Sequence, residues 1–446
     1  MNNIKRFMIL ILMFSFTFCL PPLPYPWHIP YFLSKVLEPE PEQTSSNNES
    51  ITGQIDTSFG SGGYTTFDIP GTSETPEALA FKNGKILQGG YCDGLPNSKF
   101  CLVQFDSNGN IDTSFGTSGY VIFDVPGSSY EYNTSLVVQT DGKILQGGEC
   151  NSSVSKFCLV RYNSDGSIDT SFNNPNGYRI YDFDVFSYKY PEALILQSDG
   201  KIVQGGHCTG GSHYFCIAQY DQNGNLLYWI KPDIPGVREY AFSLAIQSDN
   251  KILQGGYCGP SGGPYQFCIR RYISSDFMGL MVDSSFGTSG YQLFDFTSST
   301  SEESYSIAIQ NDGKILQGGR CNVGSWVFCI VRFNSDGSID SSFGTGGYVV
   351  YDIPVSTSDM ANSLAIQTNG KILQGGTCQV SGTNQFCVVR YNSDGSIDTD
   401  FGTGGYLLYD IPGITNESAN SLIIVENQSI LIGGNCNAEF CVVRIN

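Results

Sequence analysis

The sequence is short of positive charge and of histidine. Lys and Arg together number 23 against 42 Asp and Glu, which gives a formal charge of −19 at pH 7, and only three residues are His. Nucleic acid and anionic lipid both bind clustered positive charge, so neither is expected as a partner. Hydrophobic residues nevertheless make up 40% of the chain and aromatic residues 13%, which excludes a disordered acidic protein.

The first residues have the pattern of an export signal. A positively charged start precedes an apolar run over residues 7–18, which is too short to span a bilayer of about 30 Å. Cys19 follows and suggests a lipoprotein in which this residue carries the lipid. The residues before it match a lipobox poorly, so an ordinary signal peptide over residues 1–19 is the alternative. Residues 20–54 are rich in proline and then polar, as in a stalk.

Residues 55–446 repeat one unit seven times. The motif Lys-Ile-Leu-Gln-Gly-Gly begins at Lys85 and recurs every 50 to 63 residues, with a degenerate last copy at 429–434. Each unit holds four short runs rich in β-branched and aromatic residues, joined by turn sequences such as Asn-Gly, and no run has helical periodicity. Four antiparallel strands repeated in this way predict an all-β fold, a seven-bladed β-propeller.

The order of these runs predicts how the ring closes. Within a unit, Leu-Ala-Ile-Gln is the expected inner strand, Lys-Ile-Leu-Gln-Gly-Gly the second, Phe-Cys-Val-Val-Arg-Tyr the third and Tyr-Leu-Leu-Tyr-Asp the outer strand. The last unit ends with its third strand at 440–445, whereas residues 64–68 match the outer-strand pattern before the first unit begins at Ala78. We therefore expect residues 64–68 to complete the last blade, which removes two exposed strand edges.

The cysteines follow the same repeat. Fourteen of the fifteen occupy two positions of the unit, one after Gly-Gly and one after a Phe. These positions are expected to face each other across a hairpin, and export places the chain where disulfides persist. Cys19 is left over, which supports lipidation. The expected pairs are Cys92–Cys101, Cys150–Cys158, Cys208–Cys216, Cys258–Cys268, Cys321–Cys329, Cys378–Cys387 and Cys436–Cys441.

The repeat resembles a known family. Gly-Lys-Ile-Leu, followed by a run of the form Val-Arg-Tyr-Asn-Ser-Asp-Gly-Ser-Ile-Asp-Thr-Ser-Phe-Gly-Thr-Gly-Gly-Tyr, is similar to the delta-60 repeats of bacterial exported proteins. The resemblance covers residues 55–446, and two copies depart from it, after Tyr220 and after Tyr272. It implies a β-propeller at the bacterial cell envelope, as an outer membrane lipoprotein or surface protein, or otherwise a secreted one. The family has no assigned biochemical role, so no catalytic residues are implied.

Two groups of residues suggest metal binding. His207 with Cys208 and His213 with Cys216 could form a zinc site, but the other units carry the same cysteines without His, so a disulfide explains them. Alternating carboxylates beside a Gly resemble a calcium loop that lacks the spacing and closing Glu of an EF-hand. No cofactor is therefore expected, and calcium is the lesser alternative. The carboxylates concerned are those of Asp165, Asp169, Asp336, Asp340, Asp394 and Asp398.

The loops between paired cysteines differ from unit to unit, whereas the other turns are nearly identical. Variation at one end of a rigid repeat scaffold is typical of a recognition surface. We expect a monomeric binding or scaffold module that takes a protein or glycan on this variable-loop face and touches membrane only through the lipid anchor. A lectin-like propeller is the alternative. The candidate binding residues are Asn97, Lys99, His213, Tyr214, Tyr265, Trp326 and Asn384.

An enzyme is not expected. The sequence shows no nucleophilic Ser elbow, no paired catalytic carboxylates and no phosphate-binding Gly loop. Most of the Arg residues recur at one strand position, which indicates a structural ladder instead of a cluster converging on a substrate carboxylate. A carboxylate pair about 5 to 9 Å apart in the central funnel would revive a glycan-cleaving enzyme.

Overall fold

The computed structural model describes residues 51–446, apart from residues 95, 96, 152, 184–186, 276, 278 and 427 and the side chain of Asn133. The predicted export signal, Cys19 and the stalk up to residue 50 lie outside the described residues. Across the described part, every regular element is a strand, and twenty-nine strands form seven antiparallel sheets. None of these elements is a helix that could span a bilayer. The predicted seven-bladed β-propeller is confirmed.

Strand β1 precedes the first blade, and each blade then runs in chain order from an inner to an outer strand. The strands of the first three blades are β1 (Tyr64–Phe67), β2 (Ser73–Lys82), β3 (Lys85–Asp93), β4 (Lys99–Asp106), β5 (Tyr120–Phe123), β6 (Tyr130–Val138), β7 (Ile144–Asn151), β8 (Ser155–Tyr162), β9 (Tyr178–Tyr181), β10 (Lys189–Leu196), β11 (Ile202–Thr209), β12 (His213–Tyr220) and β13 (Leu226–Ile230).

The remaining blades follow the same order. Their strands are β14 (Arg238–Ile246), β15 (Ile252–Gly259), β16 (Gln266–Ser275), β17 (Gly279–Val282), β18 (Tyr291–Phe294), β19 (Glu302–Ile309), β20 (Ile315–Asn322), β21 (Trp326–Phe333), β22 (Tyr348–Tyr351), β23 (Ser356–Ile366), β24 (Ile372–Val380), β25 (Thr383–Tyr391), β26 (Tyr406–Tyr409), β27 (Glu417–Ile424), β28 (Ile430–Cys436) and β29 (Glu439–Ile445). The fourth blade has a fifth strand because β17 and β18 both pair with β16, which accommodates the longer sequence after Tyr272.

The inner strands surround a central channel. Each of β2, β6, β10, β14, β19, β23 and β27 contacts the inner strand of both neighbouring blades, so the circle is complete. Apolar layers fill the space between blades; one joins Leu316 and Phe328 of the fifth blade to Leu364 and Ile372 of the sixth. The inner strands begin earlier than the sequence predicted, at Ser73 instead of residue 78 in the first blade.

The ring closes as the sequence predicts. β1 pairs with β29, with Tyr64 opposite Val443 and Phe67 opposite Phe440, and so completes the seventh blade. The residues before β1 also take the position that the turn of the following blade occupies elsewhere in the ring. Arg390 donates to the carbonyl of Ile51 at 2.6 Å, as Arg161 does to the carbonyl of Gln222 in the turn of the next blade. The propeller therefore begins at Ile51, before the expected boundary at 55.

Buried glutamines connect neighbouring blades. Gln254 Nε2 donates to the carbonyls of Gly206 at 3.0 Å and Cys216 at 3.1 Å, both in the preceding blade. The same interaction joins the first blade to the seventh through Gln88. The six glutamines of the Lys-Ile-Leu-Gln-Gly-Gly motif are at most 1% exposed: Gln88, Gln146, Gln204, Gln254, Gln317 and Gln374.

Both glycines of the motif are required by these close approaches. A Cβ on Gly205 would lie 2.9 Å from Leu244 and 3.1 Å from Gln254 Nε2 of the next blade. A Cβ on Gly256 would lie 1.8 Å from the Tyr240 carbonyl oxygen of its own inner strand. Because it has no Cβ, the first Gly leaves room for the neighbouring blade, and the second leaves room for the inner strand of its own blade.

The seven expected disulfides are present, with Cα–Cα distances of 5.6 to 5.9 Å. The sequence predicted that the two cysteines of each bridge lie directly opposite each other, but they do not. Cys92 lies opposite Lys99, and Cys101 lies opposite Gly90, so the bridge runs diagonally across the hairpin. The loop between the strands sets this register, and two residues on one face of a twisted hairpin come within bridging distance.

The terminal segment gives a first prediction. A chain that begins at residue 69 loses β1 and the Arg390 partner, so several backbone hydrogen bonds disappear at once. Calorimetry should show a lower and broader unfolding transition than for a chain that begins at residue 51. Equal transitions for the two chains would show that ring closure does not depend on this segment.

The Gln interaction gives a second prediction. Tyr272 donates to Gln254 Oε1 at 2.7 Å, but the first and fifth blades have Phe105 and Phe333 in place of this Tyr, and there the Gln Oε1 atoms have no partner. Phe105→Tyr and Phe333→Tyr should each stabilise the fold by about 0.5 to 1.5 kcal/mol. Tyr272→Phe is the matched control and should destabilise it. Unfolding midpoints that fall in both Phe→Tyr variants would contradict this account.

Candidate functional site

Each inner strand has a β-bulge at the same repeat position. In the first blade the register shifts between Pro76 and Ala78, so Glu77 is the extra residue. A bulge re-aims its side chain out of the regular ladder. Because the inner strands encircle the channel, the bulged residues form a ring at one level of it. They are Glu77, Thr134, Glu192, Phe242, Tyr305, Asn362 and Asn420.

A second ring lies beside the first. The residue between Gly-Gly and the first Cys pairs with an inner-strand residue two positions before the bulge, as Tyr257 does with Tyr240. Its members are Tyr91, Glu149, His207, Tyr257, Arg320, Thr377 and Asn435, and their inner-strand partners are Thr75, Tyr132, Tyr190, Tyr240, Glu303, Met360 and Ser418. We call these three sets together the channel mouth. It opens on the variable-loop face because the disulfide hairpins follow directly.

Aromatic rings form a continuous network over the third to fifth blades of the mouth. His207 stacks on Tyr190 with ring centroids 4.9 Å apart and lies 5.3 Å from Tyr240, which stacks on Tyr257 at 5.0 Å. Phe242 continues the network, 5.3 Å from Tyr257 and 5.2 Å from Tyr305 of the fifth blade. Apart from His207, these rings are only partly buried. The network therefore offers ring faces and edges to the channel.

The network ends at an ion pair. Glu303 Oε2 accepts from Arg320 Nε at 2.8 Å and from the Tyr305 hydroxyl at 2.5 Å. The Arg320 guanidinium lies 4.3 Å from the centre of the Trp326 ring. This guanidinium is thus held over an aromatic face, with its charge compensated by Glu303.

Carboxyl groups occupy the first three blades of the mouth. Glu77 and Glu192 are bulged residues, and Glu149 belongs to the second ring in the blade between them. Burial raises the pKa of Glu77 to about 7. Burial also raises the pKa of Glu192 well above its ordinary range, and the negative charges of Glu77 and Glu149 raise it further. Asn420 Nδ2 donates to Glu77 Oε2 at 3.3 Å.

Below the mouth the channel becomes apolar. Aliphatic side chains of the inner strands, among them Ala80, Val137, Ile195 and Ile246, line a cavity of about 460 Å³. The lining of this cavity carries no titratable or hydrogen-bonding side chain.

The predicted binding residues fall into two groups. Three of them join the mouth: His213 lies 4.6 Å from the Tyr240 ring, Tyr265 lies 5.1 Å from the Tyr257 ring, and Trp326 stacks on Arg320. The other four lie elsewhere. Asn97 is exposed, Lys99 pairs with Asp124 at 2.6 Å, Tyr214 contacts Lys231, and Asn384 lies opposite Gln379 in its hairpin. Their role in binding stays a prediction.

Most residues of the mouth were not predicted from the sequence. The binding residues predicted from the sequence do not include Glu77, Tyr190, His207, Tyr240 or Glu192. One signal was available: the residue between Gly-Gly and Cys differs in almost every copy of an otherwise constant motif. The bulged position also varies from copy to copy before a constant Ala or Ser, but the bulge that turns its side chain is a property of the backbone.

Five segments of the chain match the model of a known repeat. Residues 82–115, 139–172, 197–226, 310–343 and 367–401 match the model of a "Domain of unknown function (DUF5122) beta-propeller". The matched segments cover the second and third strands of five of the blades. They support the β-propeller repeat that the delta-60 resemblance implied. No curated protein matches the sequence.

Several solved structures are similar to this chain at low sequence identity. The polysaccharide lyase Uly1 is 10% identical with a TM-score of 0.48, and the match covers 83% of this chain and 89% of that chain. The WD40 β-propeller domain of Doa1 is 12% identical with a TM-score of 0.45, covering 83% and 96%. Sqt1 from Chaetomium thermophilum is 11% identical with a TM-score of 0.44, covering 89% and 98%. At this level of similarity no function is transferred.

The carboxylates considered for calcium have other partners. Asp398 Oδ2 accepts from Arg390 at 2.6 Å and lies 2.8 Å from Lys371 Nζ. Asp169 and Asp340 have equivalent Arg and Lys partners. The carboxylates of Asp165, Asp336 and Asp394 accept from Ser residues of their own turns. These contacts give no support to calcium binding at the six carboxylates.

The zinc alternative is wrong in its sulfur ligands, because Cys208 and Cys216 form a disulfide.

Six blades bury an acid opposite the first cysteine of the disulfide. Glu417, for example, lies opposite Cys436; its Oε1 accepts from the Ile411 N–H at 2.8 Å and its Oε2 has no partner. Burial raises the pKa of the five Glu of this set to about 7 and that of Asp359 to about 6. The six are Glu74, Glu131, Glu239, Glu302, Asp359 and Glu417, all at most 1% exposed.

From these buried acids we predict that the protein is more stable at pH 5.5 than at pH 8.5. Their pKa values are raised on folding, so the folded state binds more protons than the unfolded state between about pH 4 and pH 7. Their stabilisation is full below this window and is lost as the pH rises through 7. Burial lowers the pKa of His207 to about 3 and also lowers the pKa of His213, and these two groups oppose the effect but are outnumbered by the six acids. The unfolding midpoint should be higher at pH 5.5 than at pH 8.5.

The Glu417→Gln variant is the matched test of this pH dependence. It keeps the acceptor for Ile411 but cannot titrate, so the difference between the two pH values should shrink. An unfolding midpoint that rises from pH 5.5 to pH 8.5 in the unmodified protein would contradict the assignment.

Proposed function

We propose that the protein is an exported carbohydrate-binding β-propeller whose ligand binds at the channel mouth. The observation that supports this proposal is the aromatic network over the third to fifth blades, built at positions that vary within an otherwise constant repeat. Variable side chains on a fixed frame are the usual basis of recognition in repeat proteins.

The chemistry of the mouth suits a sugar. Each pyranose ring has apolar C–H faces, which pack on aromatic rings, and hydroxyl groups, which need hydrogen-bond partners. The mouth supplies Tyr and Phe rings beside carboxylate, imidazole and guanidinium groups, as at Tyr257, Tyr305 and Arg320. Aromatic rings combined with a few polar groups at the end of a channel favour a small ligand over a flat protein partner.

Export is part of the proposal. Seven disulfides persist only in an oxidising compartment, and the first residues have the pattern of an export signal. We place the protein at the cell envelope as a monomer, with Cys19 as the lipid-bearing residue. The mouth then serves as a binding site for glycans outside the cytoplasm.

A glycan-cleaving enzyme is the second candidate, and the acids at Glu77 and Glu192 favour it. Glycoside hydrolysis uses two carboxyl groups, one of them protonated at neutral pH through a raised pKa. Burial raises the pKa of both groups here. We favour binding because the aromatic network is the larger feature of the mouth. Mass spectrometry of a bound oligosaccharide after prolonged incubation separates the two, since only an enzyme shortens it.

A glycan array provides the direct test. We expect the purified protein to bind a subset of oligosaccharides, and Tyr257→Ala to lower the affinity for them by about tenfold or more, the effect of losing one well-packed ring. Tyr228→Ala is the matched control, because Tyr228 lies on the outer strand β13 and is 37% exposed. It should bind as the unmodified protein does.

Two outcomes would contradict carbohydrate binding at the mouth. An array on which the unmodified protein binds no glycan would leave a protein ligand as the better hypothesis. Equal losses in Tyr257→Ala and Tyr228→Ala would place the site elsewhere.

A further inference from the structure

One arginine at the rim of the channel mouth has no acceptor. Arg238 lies on β14 two residues before the mouth residue Tyr240 and is only partly exposed. Within the described residues it donates no hydrogen bond and forms no ion pair. Of the arginines that the structure describes, only Arg270, which is 2% exposed, shares this lack. The others each donate to a carboxylate or a carbonyl: Arg161, Arg179, Arg271, Arg320, Arg332, Arg390 and Arg444.

The repeat does not require a charged side chain at this position. Arg238 directly precedes the buried acid Glu239, which lies opposite Cys258. In every other blade the residue before the equivalent buried side chain is uncharged. These residues are Ser73, Tyr130, Tyr188, Ser301, Ser358 and Asn416. Arg238 therefore belongs to the variable part of the repeat, where side chains are not fixed by the scaffold.

The Arg238 side chain lies beside the aromatic network. Side chains alternate along a strand, and the register of β14 is regular up to Ala241, so Arg238 and Tyr240 leave the strand on the same side. The Tyr240 ring lies 4.6 Å from the His213 ring and 5.7 Å from the Tyr265 ring. Burial lowers the pKa of His213 and the positive charge of Arg238 lowers it further, in agreement with this placement. The guanidinium and these three rings thus form the fourth-blade part of the rim.

The carboxylates close to this part of the rim are already engaged. Glu239 leaves β14 on the opposite side from Arg238, and its two oxygens accept backbone N–H groups at 2.5 and 3.1 Å. Glu303 forms the ion pair with Arg320 in the fifth blade. The positive charge of Arg238 is therefore available for a ligand, in a chain whose formal charge is −19.

A guanidinium beside aromatic rings favours a sugar that carries an oxyanion. Arginine presents parallel N–H donors, which match two oxygens of one oxyanion, and the rings pack on the apolar faces of the sugar. The Tyr265 ring is held in place for this contact. Its N–H donates to Ser301 Oγ at 3.3 Å, and its carbonyl accepts from the Glu302 N–H at 2.9 Å. A neutral sugar would use the rings and leave the charge of Arg238 unpaired.

We propose that the ligand is an acidic oligosaccharide and that Arg238 binds its oxyanion substituent, a carboxylate or a sulfate. The inference rests on the proposed carbohydrate site and names the class of sugar that it takes. The aromatic network binds the sugar rings, and Arg238 selects the charged substituent at the edge of that network.

Isothermal titration calorimetry with two matched pairs of sugars tests the proposal. One pair is the galacturonic acid tetramer and its methyl ester, and the other is a sulfated galactan tetramer and its desulfated form. At least one acidic member should bind about tenfold more tightly than its neutral partner, the effect of one hydrogen bond between charged groups. The net charge of the protein opposes an acidic ligand, so a preference for the acid reports a local contact. The preference should shrink as the NaCl concentration rises.

Variants locate the effect. Arg238→Gln should abolish the preference for the acidic sugar and leave the affinity for the neutral partner unchanged, because the rings remain. Arg179→Gln is the matched control: it removes the same charge from the outer strand β9, where Arg179 contacts Gly224 and Asn225. It should keep the preference. The comparison of acidic and neutral sugars in the unmodified protein needs no variant, so it stands if a substitution prevents folding.

Several results would overturn the inference. Equal affinity for the acidic and neutral members of both pairs would exclude the oxyanion and leave carbohydrate binding intact. Binding of none of the four sugars would exclude these acidic oligosaccharides, and the glycan array would judge the broader proposal independently. A preference that survives in Arg238→Gln would place the oxyanion elsewhere on the protein. A preference in one pair alone supports the inference and identifies the substituent as carboxylate or sulfate.

Discussion

The hydrogen bond from a buried Gln amide to the carbonyls of the preceding blade sets the spacing of the whole ring. Gln254 shows the interaction in full: Nε2 donates to two carbonyls across the interface, and Oε1 accepts from Tyr272 in its own blade. Both ends of the amide are satisfied in a space that excludes water, which is where such a network stabilises most. The Gly-Gly pair exists because these approaches leave no room for a Cβ.

The exceptions to this interaction show why partners must change together. In the seventh blade Ile432 replaces the Gln and Ile445 replaces the Tyr, so an apolar contact stands where the polar pair would be. Replacing both partners by apolar groups of similar shape is nearly neutral. The first and fifth blades have replaced only the Tyr, which leaves Gln88 and Gln317 with an unpaired oxygen. The free-energy cost therefore comes from the unpaired oxygen atom, and not from the departure from the repeat itself.

The fold could be predicted because its determinants are repeated. Four short runs of β-branched and aromatic residues, seven times over, leave few alternatives to a propeller, and the surplus strand at Tyr64–Phe67 has one vacant place beside β29. The candidate site could be predicted only in part. His213 and Trp326 begin strands, and Tyr265 directly precedes one, at the ends of loops whose variation is visible in the sequence. Glu77 and Glu192, in contrast, reach the mouth through a bulge that the strand pattern does not encode. The diagonal disulfide register was missed for a related reason, because loop geometry fixes it.

The mouth combines chemical variety with a backbone that tolerates it. The residue between Gly-Gly and Cys is paired with strands on both sides, as Tyr257 is with Tyr240 and Phe267, so its backbone is held whatever its side chain. The glycines before it and the disulfide after it are fixed by packing and covalent geometry. Each blade therefore has one position at which the side chain can vary while the surrounding backbone stays fixed. The residues at this position differ around the circle and are, in blade order, Tyr91, Glu149, His207, Tyr257, Arg320, Thr377 and Asn435. A ligand that spans the mouth thus meets a chemically directional surface on a backbone of near sevenfold symmetry, which fixes its orientation as well as its position.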